Sequence, residues 1–173
     1  YDNLIRFIRI LSDEKGQNIS QRNLTVSTCG LVPRIRQLAE EDLTITLALS
    51  LHAPNDEKRK ELMPIAYKYS LSEVLPACKY YFETGRRLTF EYGRVGGKND
   101  SQEDARQLAG LVHGLNCHIN LIPVNPIKER NFVQSDKKVI ENFKNKLEKY
   151  RINVTIRREM GRDIDGACGQ LRK

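Results

Sequence analysis

The sequence predicts an α/β fold of alternating strands and helices. Short runs of β-favouring residues alternate along the chain with stretches whose apolar residues recur at helical spacing. The run 43–50 is apolar at most positions, which is typical of a strand covered on both faces. Because helical crossovers between parallel strands are right-handed, we expect an open or partial (β/α) barrel, with a doubly wound sheet as the alternative.

Five stretches are predicted to be helices. In the first, Leu4, Ile5, Ile8 and Leu11 share one helical face, and Gly16 follows as a stop. The predicted helices cover residues 2–13, 34–40, 70–82, 100–112 and 135–147.

Polar residues mark the starts of the later helices. Ser70 followed three residues later by Glu73 forms a capping-box pattern, and Asp100 with Glu103 predicts a second cap. Ser135 is expected to open the last helix. Pro76 lies near enough to a helix start to be tolerated, with a bend at most.

The predicted strands end in polar residues. Ser27, Ser50 with His52, Glu91 and Asn125 follow or close four of them. Taken singly, a serine often caps the next helix and an asparagine before proline shapes a turn. In parallel α/β folds, however, ligands bind at the carboxyl ends of the strands, so we expect one shared site. The predicted strands cover residues 23–28, 43–50, 87–92, 118–122 and 152–156.

Size and charge limit the class of protein. With 173 residues, 39% of them hydrophobic, the chain can bury one core. A net charge of +7 fits a polyanionic partner, although many basic enzymes share it. No run approaches the ~18 apolar residues of a membrane helix, so we expect a cytoplasmic protein.

The four cysteines are Cys29, Cys78, Cys117 and Cys168. They lie far apart, which argues against a zinc site or a disulfide framework, and we expect no metal site within the chain. Cys168 stands in a loop of small residues where its sulfur could approach a ligand. It is therefore the candidate for nucleophilic chemistry, and an unreactive loop cysteine is the alternative.

The tail around this cysteine carries a resemblance. The stretch 163–171, Asp-Ile-Asp-Gly-Ala-Cys-Gly-Gln-Leu, resembles the C-terminal signature of the radical S-adenosylmethionine RNA methyltransferases that modify adenine in large-subunit ribosomal RNA and transfer RNA. Stretches 50–56, 62–65 and 120–126 resemble other motifs of that family. Gly166 stands where alanine is more usual, and residues 93–97 replace a mostly apolar strand end, which leaves the length of that strand open.

The resemblance implies a truncated fold. Residues 1–173 would be the C-terminal part of a single catalytic domain shaped as a six-stranded partial barrel. The N-terminal accessory domain and the Cys-x3-Cys-x2-Cys segment for a 4Fe-4S cluster would lie upstream. The chain alone is therefore expected to be inactive.

The resemblance also implies roles for individual residues. Ser27, Ser50, Leu51, His52 and Asn125 match family positions that contact S-adenosylmethionine. Cys168 matches the cysteine that is methylated by one S-adenosylmethionine. A second S-adenosylmethionine is cleaved reductively, with electrons from an external donor, and the methyl group then passes to the base. An upstream cysteine would resolve the adduct by forming a disulfide bond.

Several alternatives remain open at this point. The stretches 52–56 and 90–92 resemble enzymes that methylate adenine carbon 2 more than those that methylate carbon 8 and confer antibiotic resistance. A non-catalytic RNA-binding barrel would share the charge. A hydrolase or isomerase could use His52 and Glu91 as acid and base. We expect a monomer.

Overall fold

The computed structural model describes residues 1–124 and 133–158, which form one parallel sheet covered by helices. Neighbouring strands pair in sequence order, β1-β2-β3-β4-β5, and every pair is parallel. The strands are β1 (Thr25–Thr28), β2 (Thr46–Ser50), β3 (Leu88–Arg94), β4 (His118–Pro123) and β5 (Asn153–Ile156).

Helices connect these strands. When parallel strands follow one another in order, right-handed crossovers place all the connecting helices on one face of the sheet. A doubly wound sheet would instead reverse its strand order at a switch point. The predicted partial (β/α) barrel is therefore confirmed. The helices are α1 (Asp2–Ser12), α2 (Val32–Glu40), α3 (Asp56–Leu62), α4 (Leu71–Glu83), α5 (Gln102–Leu111) and α6 (Lys137–Lys149), with 3-10 turns at Gln21–Asn23 and Pro64–Tyr67.

The core lies between the sheet and this helix layer. In register across β2, β3 and β4 stand Leu49, Phe90 and Ile119, and all three are fully buried. Tyr92 stacks on Phe143 of α6 with ring centroids 5.5 Å apart. Each such large apolar side chain contributes about 1.5–3 kcal/mol of burial free energy, so the helix-facing side holds the sheet in place.

Two predicted helix features are confirmed. The backbone N–H of Ser70 donates to Glu73 Oε2 at 3.0 Å, which completes the capping box of α4. The helix continues through Pro76 to Glu83, as expected for a proline near the first turns. The starts of α5 and α6 differ from the prediction.

The cap predicted for α5 from Asp100 and Glu103 was wrong by one residue. The structure uses Ser101, whose Oγ accepts the backbone N–H of Asp104 at 3.1 Å, while Asp104 Oδ2 accepts the N–H of Ser101. Asp100 is engaged instead by the backbone N–H of Gly97 in the preceding turn, at 3.0 Å.

The last helix, α6, also begins one residue later than predicted. Its cap is Asp136, whose Oδ1 accepts the backbone N–H of Lys138 at 2.7 Å. Ser135, the predicted opener, is buried, and its hydroxyl makes no hydrogen bond with the residues that the structure describes.

Each of the five strands differs from its predicted range by one to three residues at one or both ends, and two of these differences matter here. Strand β2 begins at Thr46 rather than at residue 43, and β3 continues two residues beyond Tyr92 to Arg94. The second difference answers the question left by the unusual stretch 93–97, because the strand extends into it. In the part of the chain that the structure describes, no helix has the length and apolar character needed to cross a membrane.

Candidate functional site

A row of polar side chains crosses the sheet on the face opposite the helices. Ser50 of β2 pairs with Glu91 of β3, Glu91 with Asn120 of β4, and Asn120 with Thr155 of β5. Paired residues of neighbouring strands lie about 4.8 Å apart and point to the same face. We call these four residues the polar row; it begins at the carboxyl end of β2 with Ser50 and crosses β3 and β4 near their middle.

Hydrogen bonds connect much of the polar row. Asn120 Nδ2 donates to both carboxylate oxygens of Glu91, at 3.3 and 3.1 Å. The Thr155 hydroxyl donates to Asn120 Oδ1 at 3.1 Å, and His118 Nε2 lies 2.8 Å from Thr155 Oγ1. Because the Thr155 proton is directed to Asn120, the network assigns His118 as the Nε2–H tautomer. In this series of hydrogen bonds, every donor therefore points toward Glu91.

His52 follows β2 and is tied to β3. Its backbone has φ of +57°, in the left-handed region, and its Nδ1 accepts the backbone N–H of Gly93 at 2.8 Å. A Cβ at position 93 would approach Nδ1 to 3.3 Å, so the close contact favours glycine. Burial, followed by the charge of Arg59, lowers the pKa of His52 to about 4, which keeps its imidazole neutral near pH 7.

Asn99 also links the loop after β2 to the end of β3. Its side chain is fully buried, and its Nδ2 donates to the carbonyls of His52 at 2.6 Å and of Gly93 at 2.7 Å. Its Oδ1 accepts the backbone N–H of Val95 at 2.7 Å. The end of β3 and the loop after β2 therefore hold one defined geometry.

Arg59 of α3 plays a similar part between β1 and β2. Its guanidinium is fully buried and donates to the carbonyls of Leu51 at 3.2 Å and of Cys29 at 2.8 Å. Gly30, with φ of +104°, passes so close that a Cβ would lie 3.1 Å from Arg59 Nη2. The loops that follow the two strands are thus joined through one cation.

The structure brings together four of the residues predicted for the site. Ser27 and Ser50 lie on the open face of the sheet, with Ser27 in the row below Ser50, paired with Ala48. The Leu51 side chain is fully buried, so only its backbone could meet a ligand. His52 completes this group. Asn125 and Cys168 lie outside the described residues.

Sequence reasoning missed Asn99, Arg59 and Thr155. The alternation of β5 could have placed Thr155 on the open face, beside Asn120. No local signal points to the other two, because Asn99 lies 47 residues from the His52 carbonyl that it binds.

A cavity of about 620 Å³ lies at the other end of the sheet, near the residues that precede β4 and β5. Ligands of parallel α/β folds bind at the carboxyl ends of strands, so we place the site at the polar row rather than in this cavity. The cavity is lined in part by Arg106, His113, Cys117, Tyr150 and Arg151.

Among residues 1–124 and 133–158, no group of three or more His, Cys, Asp or Glu side chains could hold a metal ion. Burial raises the pKa of Cys78 to about 12 and that of Cys117 to about 11, so both remain thiols at neutral pH. Cys29 is exposed. Ligands for an iron-sulfur cluster are therefore not found in the described part of the chain.

Comparisons with known proteins place these observations in a family. No protein-family model matches the chain. It is 68% identical over 173 residues to a probable dual-specificity RNA methyltransferase RlmN of Lachnospira eligens, covering 99% of this chain and 49% of that protein. A protein of the same name from Lachnoclostridium phytofermentans is 63% identical over 174 residues, again with 49% of its length covered.

A solved structure gives the same result. The crystal structure of a radical SAM methyltransferase from Sphaerobacter thermophilus superposes with a TM-score of 0.94 at 47% identity, covering 99% of this chain and 51% of that one. The chain spans about half the length of the curated relatives it matches. With such identity along its whole length, the chain belongs to the family of these radical SAM RNA methyltransferases.

Proposed function

We propose that the protein containing this chain transfers a methyl group from S-adenosylmethionine to carbon 2 of an adenine in large-subunit ribosomal RNA and in transfer RNA. The observation that carries the proposal is the 68% identity to a dual-specificity RNA methyltransferase along 99% of the chain. The net charge of +7 is consistent with RNA as the partner.

S-adenosylmethionine is proposed to bind at the carboxyl ends of the strands, held by Ser27, Ser50, the backbone of Leu51, His52 and Asn125. The described residues suit this ligand, because Ser27 and Ser50 present hydroxyls on the open face of the sheet. The neutral imidazole of His52 adds a polar group without a competing positive charge. Asn99 and Arg59 hold these positions still, and such positioning supplies much of the rate in reactions between bound groups.

A 4Fe-4S cluster, when bound, would supply the electron that cleaves S-adenosylmethionine. We propose that its ligands lie in a part of the protein outside this chain, together with an accessory domain, and that residues 1–173 alone are inactive. An external electron donor, a cytoplasmic location and a monomeric state belong to the same proposal.

Cys168 is proposed to carry the methyl group. Its sulfur would take the methyl group first and present it to the adenine, because an electron-poor ring carbon does not attack a sulfonium methyl group directly. A thiolate is the form of cysteine that acts as a nucleophile. A second cysteine outside the chain would then release the product by forming a disulfide with Cys168.

The test uses the full-length protein made in cells. We expect a tail peptide to carry one added methyl group on Cys168, and Cys168→Ala to abolish methylation of a ribosomal RNA fragment. Cys117→Ala is the matched control, because this thiol lies at the far end of β4, and it should keep its activity. A Cys168→Ala protein that still methylates RNA would exclude the carrier role.

The products of the same reaction decide between the alternatives. Digested RNA should contain 2-methyladenosine; 8-methyladenosine would indicate the resistance-type activity, and no methylated adenosine would favour a non-catalytic RNA-binding barrel. A hydrolase that uses His52 as a general acid is disfavoured, because Gly93 N–H occupies its Nδ1 and its pKa lies near 4.

A further inference from the structure

We propose that Glu91 is a ligand-binding residue whose carboxylate accepts hydrogen bonds from the ribose hydroxyls of the bound S-adenosylmethionine. The inference rests on the proposed function, since it concerns the same site. From the sequence, Glu91 was predicted only as a possible acid or base of a hydrolase or isomerase.

Glu91 lies beside Ser50 in the sheet. Glu91 is the direct register partner of Ser50, on the neighbouring strand and on the same open face. Their Cα atoms are therefore about 4.8 Å apart. A nucleoside that touches the Ser50 hydroxyl lies within reach of the longer Glu91 side chain.

The described residues satisfy the Glu91 carboxylate only in part. The carboxylate is half-buried, yet in the described ranges 1–124 and 133–158 no Lys, Arg or His forms an ion pair with it. Its hydrogen-bond partner among the described side chains is the neutral amide of Asn120. A carboxylate has about four lone-pair sites, so a single amide leaves acceptor capacity unused.

A series of hydrogen bonds from β4 and β5 orients the Glu91 side chain. The chain from His118 through Thr155 and Asn120 ends on Glu91, and each member donates toward it. Hydrogen bonds in such a chain polarise one another and hold the final acceptor in place. Glu91 is thus fixed from the β4 side, and its remaining acceptor sites are left for a ligand.

A carboxylate is chemically suited to bind the ribose of a nucleoside. Two carboxylate oxygens match the paired donors of a vicinal diol, and acidic side chains recognise ribose hydroxyls in the same way in dinucleotide-binding folds. Serine and glutamate side by side therefore form a surface for the sugar part of a nucleoside. The neutral His52 nearby leaves the carboxylate free of a competing cation.

The test measures binding rather than turnover. Full-length protein, purified without oxygen and with its cluster, is titrated calorimetrically with S-adenosylhomocysteine and with its 2′-deoxy and 3′-deoxy counterparts. Glu91→Gln removes the charge and turns one acceptor into a donor, so we expect affinity for S-adenosylhomocysteine to fall roughly tenfold to hundredfold. The variant and wild type should bind at least one deoxy compound nearly equally.

Two further variants make the result specific. Thr155→Val keeps the side-chain shape but breaks the donor chain, and it should weaken S-adenosylhomocysteine binding a few-fold without affecting that deoxy compound. Glu57→Gln, an exposed change on α3, should leave all affinities unchanged. Circular dichroism spectra matching that of the wild type verify that the variants are folded.

The possible outcomes separate the two proposals. If wild-type protein fails to bind S-adenosylhomocysteine at all, the proposed function is wrong. If wild-type protein binds it and Glu91→Gln binds equally well, this inference is wrong. An equal loss for all three compounds would also overturn it, because the carboxylate would then contact some donor other than the ribose.

Discussion

Replacing His52 with asparagine should remove an acid-sensitive contribution to stability. The folded protein holds the pKa of His52 near 4, against 6.5 for an ordinary histidine, so the unfolded chain takes up a proton that the folded chain refuses. A pKa difference of one unit between the folded and unfolded states corresponds to about 1.4 kcal/mol. The shift of His52 therefore lowers the free energy of unfolding by roughly 3 kcal/mol once the unfolded state is fully protonated. This stability is present above about pH 6.5 and is lost as the pH falls toward 4.

Asparagine is the informative substitution for two reasons. Its Oδ1 can accept the Gly93 N–H in place of Nδ1, and asparagine tolerates the left-handed backbone at this position. The His52→Asn protein should therefore match wild type at pH 7.5 but lose less stability at pH 5. His113→Asn, at an exposed position, is the matched control for replacing a histidine by asparagine.

Urea unfolding of the full-length protein and its variants between pH 7.5 and 4.5 measures the effect. Histidine side-chain NMR signals, with His52 assigned by its loss in the variant, should show one imidazole that stays neutral down to about pH 5. Identical pH dependence of unfolding in wild type and His52→Asn would refute the reasoning, since the buried neutral imidazole would then contribute nothing.

Three further substitutions test other contacts. Arg59→Met leaves the Leu51 and Cys29 carbonyls without their donor and should cost about 3 kcal/mol in urea unfolding; an unchanged midpoint would contradict this. Gly93→Ala brings a Cβ within 3.3 Å of the His52 ring, so the ring must shift, and the chemical shift of its NMR signal should change while unfolding stability falls by about 1 kcal/mol. Ser101→Ala should cost about 1 kcal/mol by removing the cap of α5, whereas Ser101→Asp should restore most of it; equal losses for both would argue against capping.

The fold class could be predicted because helices and strands are indicated by residues that are close together in sequence. Alternating helical and β-favouring stretches were enough to expect parallel strands with helical crossovers, and the strand-end rule brought Ser27 and Ser50 to one face. The sequential strand order, which separates a partial barrel from a doubly wound sheet, required the pairing itself. Local patterns cannot reveal which distant strands pair.

The contacts that hold the site were out of reach for the same reason. Asn99 binds the His52 carbonyl, 47 residues away in sequence, and Arg59 looks in the sequence like one more charge on a polar helix. The cap of α5 was misplaced because Asp100 serves the turn at Gly97, an equally good use for an aspartate. In each case two uses of a side chain were physically reasonable, and tertiary structure selected one.

Because the connecting helices lie on one side of the sheet, its two faces have different roles. Phe90 and Tyr92 are buried in the core and stabilise the fold. Glu91, between them in the chain, points to the opposite face and contributes little to stability. Substitutions along the exposed surface can accordingly change which molecules are recognised while leaving the scaffold intact. A protein engineer could therefore redesign that surface one strand at a time.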